Sequence, residues 1–327
     1  MWKPRGAPTG VGSLNFSDPD EAVRYVFRHF ESLPFWPQLP AIAPLITTWF
    51  GRIPGARGEG NTLRLPWTRH NLLAGLRAHF DSRFRPRPLV TEQGYSNFTT
   101  FVSEMPRMEG QFFKGQIFGP VTLLSMLRDN EGFEVGFSDA LLDLFCEYLI
   151  EVSVEMARGL NEAGGRPLIV IDEPILSHAD PFIWQRLRGF VAELQKHARV
   201  GIHCCGPARW DQIVALGLDY VNFDAFTHLD HLIDYRDAFS VHVNEGGWLA
   251  LGIVPTFPHD APFTTDELFT YLRKCLLALT NDSVTKQTRW GNLVLTPSCG
   301  TALHKPQSQD RIYHTLVELS RRAESES

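Results

Sequence analysis

The segment Gly201-Ile202-His203-Cys204-Cys205-Gly206 places one imidazole and two thiols in consecutive positions, and far downstream a further thiol, Cys299, stands before Gly300. In an extended strand, residues i and i+2 share a face. His203 and Cys205 would therefore project together and Cys204 the other way. An imidazole with two thiolates is a borderline-soft donor set, and Zn²⁺, tetrahedral and redox-inert, is the ion it suits best. Three protein donors leave a fourth position open, as in catalytic rather than structural zinc sites. Asp224, at the end of the next apolar run, is a candidate for that position or for a supporting contact to a ligand. The same residues admit a plainer account: His203 as a hydrogen-bonded core histidine and the cysteines as small core residues, free Cys being among the most buried types. Cys146 and Cys275 lie inside apolar helical runs and read as core.

Three other segments carry groups of chemical interest. Leu168-Ile169-Val170-Ile171-Asp172-Glu173-Pro174 is an apolar strand ending in two adjacent carboxylates. Alternation sends one to each side, and Asp172 is the one expected to face inward, where it would hold a substrate ammonium; a helix N-cap or a salt bridge is the competing role. Lys114-Gly115-Gln116-Ile117-Phe118-Gly119-Pro120 reads first as a tight strand-to-helix turn. Thr9-Gly10-Val11-Gly12-Ser13-Leu14 is an incomplete match to a dinucleotide fingerprint and lacks its acidic partner. Glu92 ends a further short apolar run.

These groups share one property: each stands where an apolar run stops. Eight such runs are expected as strands, at 10–14, 88–91, 113–117, 167–171, 200–204, 220–223, 249–253 and 293–296. Most are continuously apolar, as buried parallel strands are. Helices are expected at about 20–30, 121–127, 140–163, 181–197, 211–216, 265–279 and 310–321. The alternation fits a single (β/α)₈ TIM barrel, whose sites sit at the C-terminal ends of the strands; a doubly wound sheet carries a similar pattern. The Pro-rich, aromatic residues 32–50 read as an insertion after the first β/α unit covering one end, and 51–66 as an exposed loop.

Size and composition agree with one catalytic domain over 1–327, its ordered core at about 8–322, with frayed ends. Hydrophobic residues are 43% of the 327 and charged residues 21%, enough apolar surface for a large core. A net charge of -6 gives no reason to expect nucleic acid. The start of the chain lacks the apolar stretch of a secretory signal, and no apolar run is long enough for a membrane helix. Five cysteines, two of them adjacent, make a poor disulfide framework, so a reducing cytoplasm is expected.

Taken in order, Gly12-Ser13, Lys114-Gly115 through Gly119-Pro120, Ile171-Asp172-Glu173-Pro174, His203-Cys204-Cys205 and Thr296-Pro297-Ser298-Cys299-Gly300 resemble the catalytic half of cobalamin-independent methionine synthase. That family's superfamily also holds uroporphyrinogen decarboxylase and the zinc methyltransferases of methanogenesis. The five segments span nearly the whole chain. The resemblance implies zinc held by His203, Cys205 and Cys299, with Asp224 near the family's acidic ligand. It implies that Ser13 and Asp172, with Glu92 as a second carboxylate, bind the amino-acid part of homocysteine. Two departures stand out. The second barrel of the full-length synthases, which helps bind methylfolate, has no counterpart here. The run Trp248-Leu249-Ala250-Leu251-Gly252-Ile253-Val254-Pro255 has no counterpart of the histidine that assists the leaving folate. Both make the chain similar to the short core synthases, whose implied donor is a methylated corrinoid protein. Other readings are a metal-free decarboxylase-like enzyme, needing arginines near the first strand, where Arg5 is available; a zinc- or corrinoid-binding protein without turnover; and a different small thiol as acceptor.

Overall fold

The structure is a computed structural model that describes residues 2–41, 53–83, 96–105, 111–176, 180–256 and 263–326. Glu92 and the expected strand at 88–91 lie outside the described residues. In chain order the strands are β1 (Ala7–Pro8), β2 (Arg57–Glu59), β3 (Thr62–Arg64), β4 (Phe112–Phe118), β5 (Leu127–Arg128), β6 (Arg166–Asp172), β7 (Arg199–Cys204), β8 (Tyr220–Phe223), β9 (Trp248–Val254) and β10 (Leu293–Pro297). Seven of them form one parallel sheet in the order β1-β10-β9-β8-β7-β6-β4. Parallel neighbours need long crossovers. Most of these are helices, including Asp139–Glu162, Pro181–Leu194, Thr265–Leu279 and Pro306–Glu324. The result is a curled, TIM-barrel-like α/β fold.

Caps written in the sequence set several helix starts. Asp18 accepts from the Asp20 and Glu21 amides ahead of Pro19–His29. Thr264 and Glu267 make a reciprocal capping box ahead of Thr265–Leu279. Each satisfies donors that the first helical turn leaves unpaired.

The two edges of the seven-stranded sheet are joined by residues 34–38, which were expected to cover one end of the molecule. Phe35 bridges Lys114 of β4 and Gln38 bridges Ser13, both in parallel. Lys114 N donates to Pro34 O and Trp36 N to Lys114 O, each at 2.8 Å; on the other side Gln38 N donates to Gly12 O at 3.0 Å and Leu14 N to Gln38 O at 2.9 Å. The amides of 36 and 38 turn to opposite neighbours although two residues apart, so the segment is not a regular strand, and the positions of Pro34 and Pro37 are ones whose amides neither pairing uses. The first strand is likewise shorter and earlier than the expected 10–14: Ala7 and Pro8 pair with Val294 and Leu295, and the chain rejoins the wall only at Ser13. Gly10 lies against the Phe35 ring, where any side chain would collide.

Two further expectations are corrected. Within 51–66, the exposed stretch is a hairpin, β2 with β3, turning at Gly60 with φ +61, a conformation glycine adopts without steric cost. The described residues near both ends are engaged rather than frayed. The last helix continues to Glu324, and Glu326 pairs with Arg273 and Lys286. At the other end Trp2 packs edge-on to Trp248 (centroids 5.0 Å) and against Phe112 (5.4 Å).

Alternation along the strands divides the apolar residues into two cores. Ile169, Ile171, Ile202, Val221, Leu251 and Leu295 face the helices. Phe112, Leu168, Val170, Tyr220, Trp248 and Val294 occupy the alternate positions and fill the inside of the curl, with Trp2 against them. Trp2 thus stoppers the end of the sheet where the strands begin. Trp2→Ala should lower the unfolding free energy by about 2 kcal/mol, read by urea denaturation, without changing the far-UV circular dichroism. An unchanged denaturation midpoint would show that the ring contributes no packing.

Candidate metal centre

Along the inward-facing positions the side chains change from apolar to polar toward the strands' C-terminal ends. Phe112 is followed two residues on by Lys114 and then Gln116; Leu168 and Val170 by Asp172; Gly201 by His203; Tyr220 by Asn222; Val294 by Thr296. Register aligns them, because Asp172 pairs with His203 and His203 with Asn222. All of these polar residues are buried.

An imidazole nitrogen of His203 and the Sγ atoms of Cys205 and Cys299 all lie within 4.8 Å of one another. His203 and Cys205 come from the end of β7, and Cys299 from the turn after β10. That turn is held by Ser298, whose Oγ contacts Thr256 N at 3.0 Å and Thr256 Oγ1 at 2.9 Å. Cys204 points the other way, fully buried in the core under the helices, and burial pushes its thiol up to about 12. Cys146 and Cys275 are buried in the same core, as expected. The Nδ1 of His203 lies 2.6 Å from Asn222 Oδ1, while Nε2 is buried without a hydrogen bond. Cys205 hydrogen-bonds to Cys299. That hydrogen bond draws Cys299 down to about 4 and holds Cys205 far above its ordinary value. Burial works against a charged His203, but Cys299 and Asp172 outweigh it and hold its pKa up. An orphaned imidazole nitrogen beside two sulfurs, one readily ionised, is a donor set that fits a borderline-soft cation.

Asp172 and Glu173 separate as alternation requires. Asp172 faces inward with Oδ1 buried and without a hydrogen bond. Burial pushes its carboxyl up to about 6, against the pull of His203 and Lys114. Lys114 is itself buried and drawn down to about 8, with Nζ donating to Val11 O at 2.6 Å and Gln116 Oε1 at 3.1 Å. Glu173 faces away and caps the helix Pro120–Ser125, accepting from Val121 N at 2.8 Å, Thr122 N at 2.9 Å and Thr122 Oγ1 at 2.5 Å. Gly119 must be glycine for this reason, since a methyl there would collide with the Glu173 carboxylate.

Ser13 reaches the same end of the sheet. Its Oγ lies over Gly300, where a methyl would strike it, and its carbonyl accepts from Thr301 N at 2.9 Å. Asp224 does not join the three-donor group. Its side chain accepts from Thr227 N at 2.8 Å and caps the helix Ala225–Leu232. The structure therefore brings His203, Cys205 and Cys299 together, sets Asp172 and Ser13 around them, and engages Asp224 as a cap. Sequence reasoning overlooked Asn222, Thr296, Gln116 and Gln38, the last with a buried Nε2 that makes no hydrogen bond. The available signal was a polar residue at an inward position of an otherwise apolar strand, as in Tyr220–Phe223, because buried polar atoms are almost always engaged.

With this geometry in view, the chain is similar in structure to a methyltransferase from Methanosarcina mazei, with a TM-score of 0.58 and 15% identity over 94% of this chain and 86% of that one. The likeness is one of fold. Weaker resemblances are to a β-mannanase from Alicyclobacillus acidocaldarius (TM-score 0.47, 10% identity, 100% of this chain and 99% of that one) and to a 3-keto-D-glucoside 4-epimerase from E. coli (0.37, 11%, 97% and 99%). No protein-family model and no curated protein matches the chain. Among the described residues no helix is long and apolar enough to cross a membrane.

Burial raises the Glu173 carboxyl from 4.5 to about 7 despite its three hydrogen bonds. A raised folded-state pKa means stability that is complete below the unfolded value and lost as pH rises through the folded one. Unfolding free energy should therefore fall between about pH 4.5 and about pH 7, by as much as about 3 kcal/mol from this group. Urea denaturation of Glu173→Gln should show that component removed. A variant with the wild-type pH dependence would place the titration elsewhere.

Proposed function

We propose that this chain is a zinc-dependent methyltransferase, built on a closed eight-unit barrel, that delivers a methyl group to the sulfur of a small thiol. Homocysteine is the proposed acceptor, methionine the product and a methylated corrinoid protein the donor. One observation carries the reading: an imidazole and two thiols from β7 and the turn after β10 converge at the C-terminal end of the sheet, where barrels of this kind hold their chemistry. The fold likeness to a protein described as a methyltransferase supports it.

His203, Cys205 and Cys299 would hold the ion. Bound zinc supplies a site at which a thiol, ordinarily titrating near 8.5, is deprotonated at neutral pH while remaining nucleophilic. Cysteine binds zinc as the thiolate, so metal uptake and proton release are linked. The buried Oδ1 of Asp172 is the acceptor available to a substrate ammonium, and the positive charge of Lys114 favours the ionised carboxyl that this task needs. Ser13, whose Oγ lies over Gly300 next to Cys299 in the chain, offers a hydroxyl to the amino-acid end. The acceptor's specificity would rest on these residues, since a site built to pair with a charged group discriminates strongly against a ligand that lacks it.

The choice of donor rests on one strand. The strand Trp248–Val254 carries no acid–base side chain. An amine leaving group such as a folate nitrogen needs a proton to depart, whereas a corrinoid cobalt does not. Arg5, the basic residue that a metal-free decarboxylase would recruit, precedes β1, and its amide donates to Gly291 O before β10 begins. That is the end of the sheet opposite Cys299.

Elemental analysis should find one zinc per chain, lost in Cys205→Ser and in Cys299→Ser. The zinc-loaded protein should methylate homocysteine from methylcobalamin faster than from methyltetrahydrofolate. Wild-type protein without zinc, or Cys205→Ser with full zinc and full thiol methylation, would end the proposal. Asp172→Asn should raise the KM for homocysteine at least about tenfold while changing little for a thiol without an amino group; an equal effect on both would remove Asp172 from amine recognition.

A further inference from the structure

Behind His203 stands a buried amide with every donor committed. Asn222, fully buried on β8, is the register partner of His203, and its Oδ1 lies 2.6 Å from His203 Nδ1. Its Nδ2 donates twice, to Ala250 O at 2.8 Å and to Thr296 Oγ1 at 2.9 Å. Those two acceptors come from β9 and β10, so one side chain ties four consecutive strands together at the level of the candidate centre. They also orient the amide. Turned over, it would set its oxygen against the Ala250 carbonyl, two buried acceptors with no hydrogen between them, and the Ala250 carbonyl would lose its donor.

With its oxygen fixed toward His203, Asn222 can only accept from Nδ1, so Nδ1 must carry the hydrogen. We infer that Asn222 is the positioning residue that sets the tautomer and ring angle of His203, holding the Nε2 lone pair toward Cys205 and Cys299. Two observations support it independently of the hydrogen bond itself: Nε2 is buried and makes no hydrogen bond, and Thr296 and Ala250 are themselves wholly buried, which leaves the amide no solvent to turn toward. Asn222 acts through His203 and touches no reacting atom. Outer partners of this kind orient a ligating histidine and typically contribute 10–100-fold to metal affinity. The inference rests on the proposed metal centre for its consequence, though the tautomer it assigns does not depend on a bound ion.

The test has two arms. In metal-free protein labelled with ¹⁵N-histidine, long-range ¹H–¹⁵N correlation at alkaline pH, where the ring is neutral, should show His203 as the Nδ1–H tautomer; the signal is assigned by its loss in His203→Gln. An Nε2–H ring overturns the inference, whether or not zinc binds. In the second arm, zinc affinity is measured by competition with a chromophoric chelator. Asn222→Ala should bind one zinc about 10–100-fold more weakly and should lose the Nδ1–H preference. Should Asn222→Ala fail to fold, Thr296→Val, which frees one Nδ2 hydrogen and keeps the rest of the amide's contacts, should show a smaller loss of affinity together with a mixed tautomer signal. Wild-type affinity in Asn222→Ala overturns the inference, as does an unchanged Nδ1–H tautomer in that variant. Wild-type protein that binds no zinc, yet shows Nδ1–H only while Asn222 is present, sinks the metal reading and leaves the positioning role standing.

Discussion

Strand register is the constraint on which the rest of the molecule depends. Parallel neighbours pair Asp172 with His203 and His203 with Asn222, so three polar side chains arrive at one level and on one face. A slip of one residue in any of these strands would send its polar group under the helices and its apolar neighbour inward. The apolar neighbours hold the register: Ile171, Ile202 and Val221 are all buried on the helix side, and none could face the polar interior without losing that packing. The convergence of His203 and Cys205 with Cys299 is thus a product of hydrophobic packing on the opposite face of the same strands.

Desolvation is what gives the converged groups unusual chemistry. Lys114, Asp172 and His203 are almost wholly excluded from solvent, and burial is the leading influence on each. It lowers the ammonium, raises the carboxyl and opposes the imidazolium, and each shift is offset by the others because unlike charges sit close together. The sulfur pair is the exception, governed first by its own hydrogen bond. Such a cluster is costly to assemble without partners. It is tolerated here because the opposite end of the curl is packed with aromatic rings, Phe112, Trp248 and Trp2, with the guanidiniums of Arg166 and Arg199 stacked on them. Stability and chemistry are therefore divided between the two ends of the same strands.

The adjacent carboxylates show how small a difference in position decides a role. Asp172 and Glu173 are successive residues at the end of one strand, both buried and both raised by that burial. The period of two sends one to the interior, where an oxygen is left without a hydrogen bond, and the other to a helix start, where three hydrogen bonds engage it. Gly119 belongs to the second role and Lys114 to the first, although both lie in the single segment that reads as a turn in the linear sequence.

Much of this was legible in the linear chain. Local signals are strong where one strand is covered on both sides: the apolar runs gave β4 and β6 to β10 to within a residue or two, and the i, i+2 rule separated His203 and Cys205 from Cys204 and Asp172 from Glu173. Where the backbone is irregular, local signals misled. The prolines at 34 and 37 read as a break, yet the two short pairings at 34–38 use only the amides of 36 and 38, and the strand at 10–14 proved to be two short contacts separated by Gly10. The distance between Cys299 and the His203–Cys205 pair and the existence of Asn222's network were decided by tertiary structure alone, whereas the cap that engages Asp224 is a local bond to Thr227, three residues on. Periodicity states which face a side chain takes; only the curling of the sheet, which brings strands remote in sequence onto one rim, states what that side chain meets there.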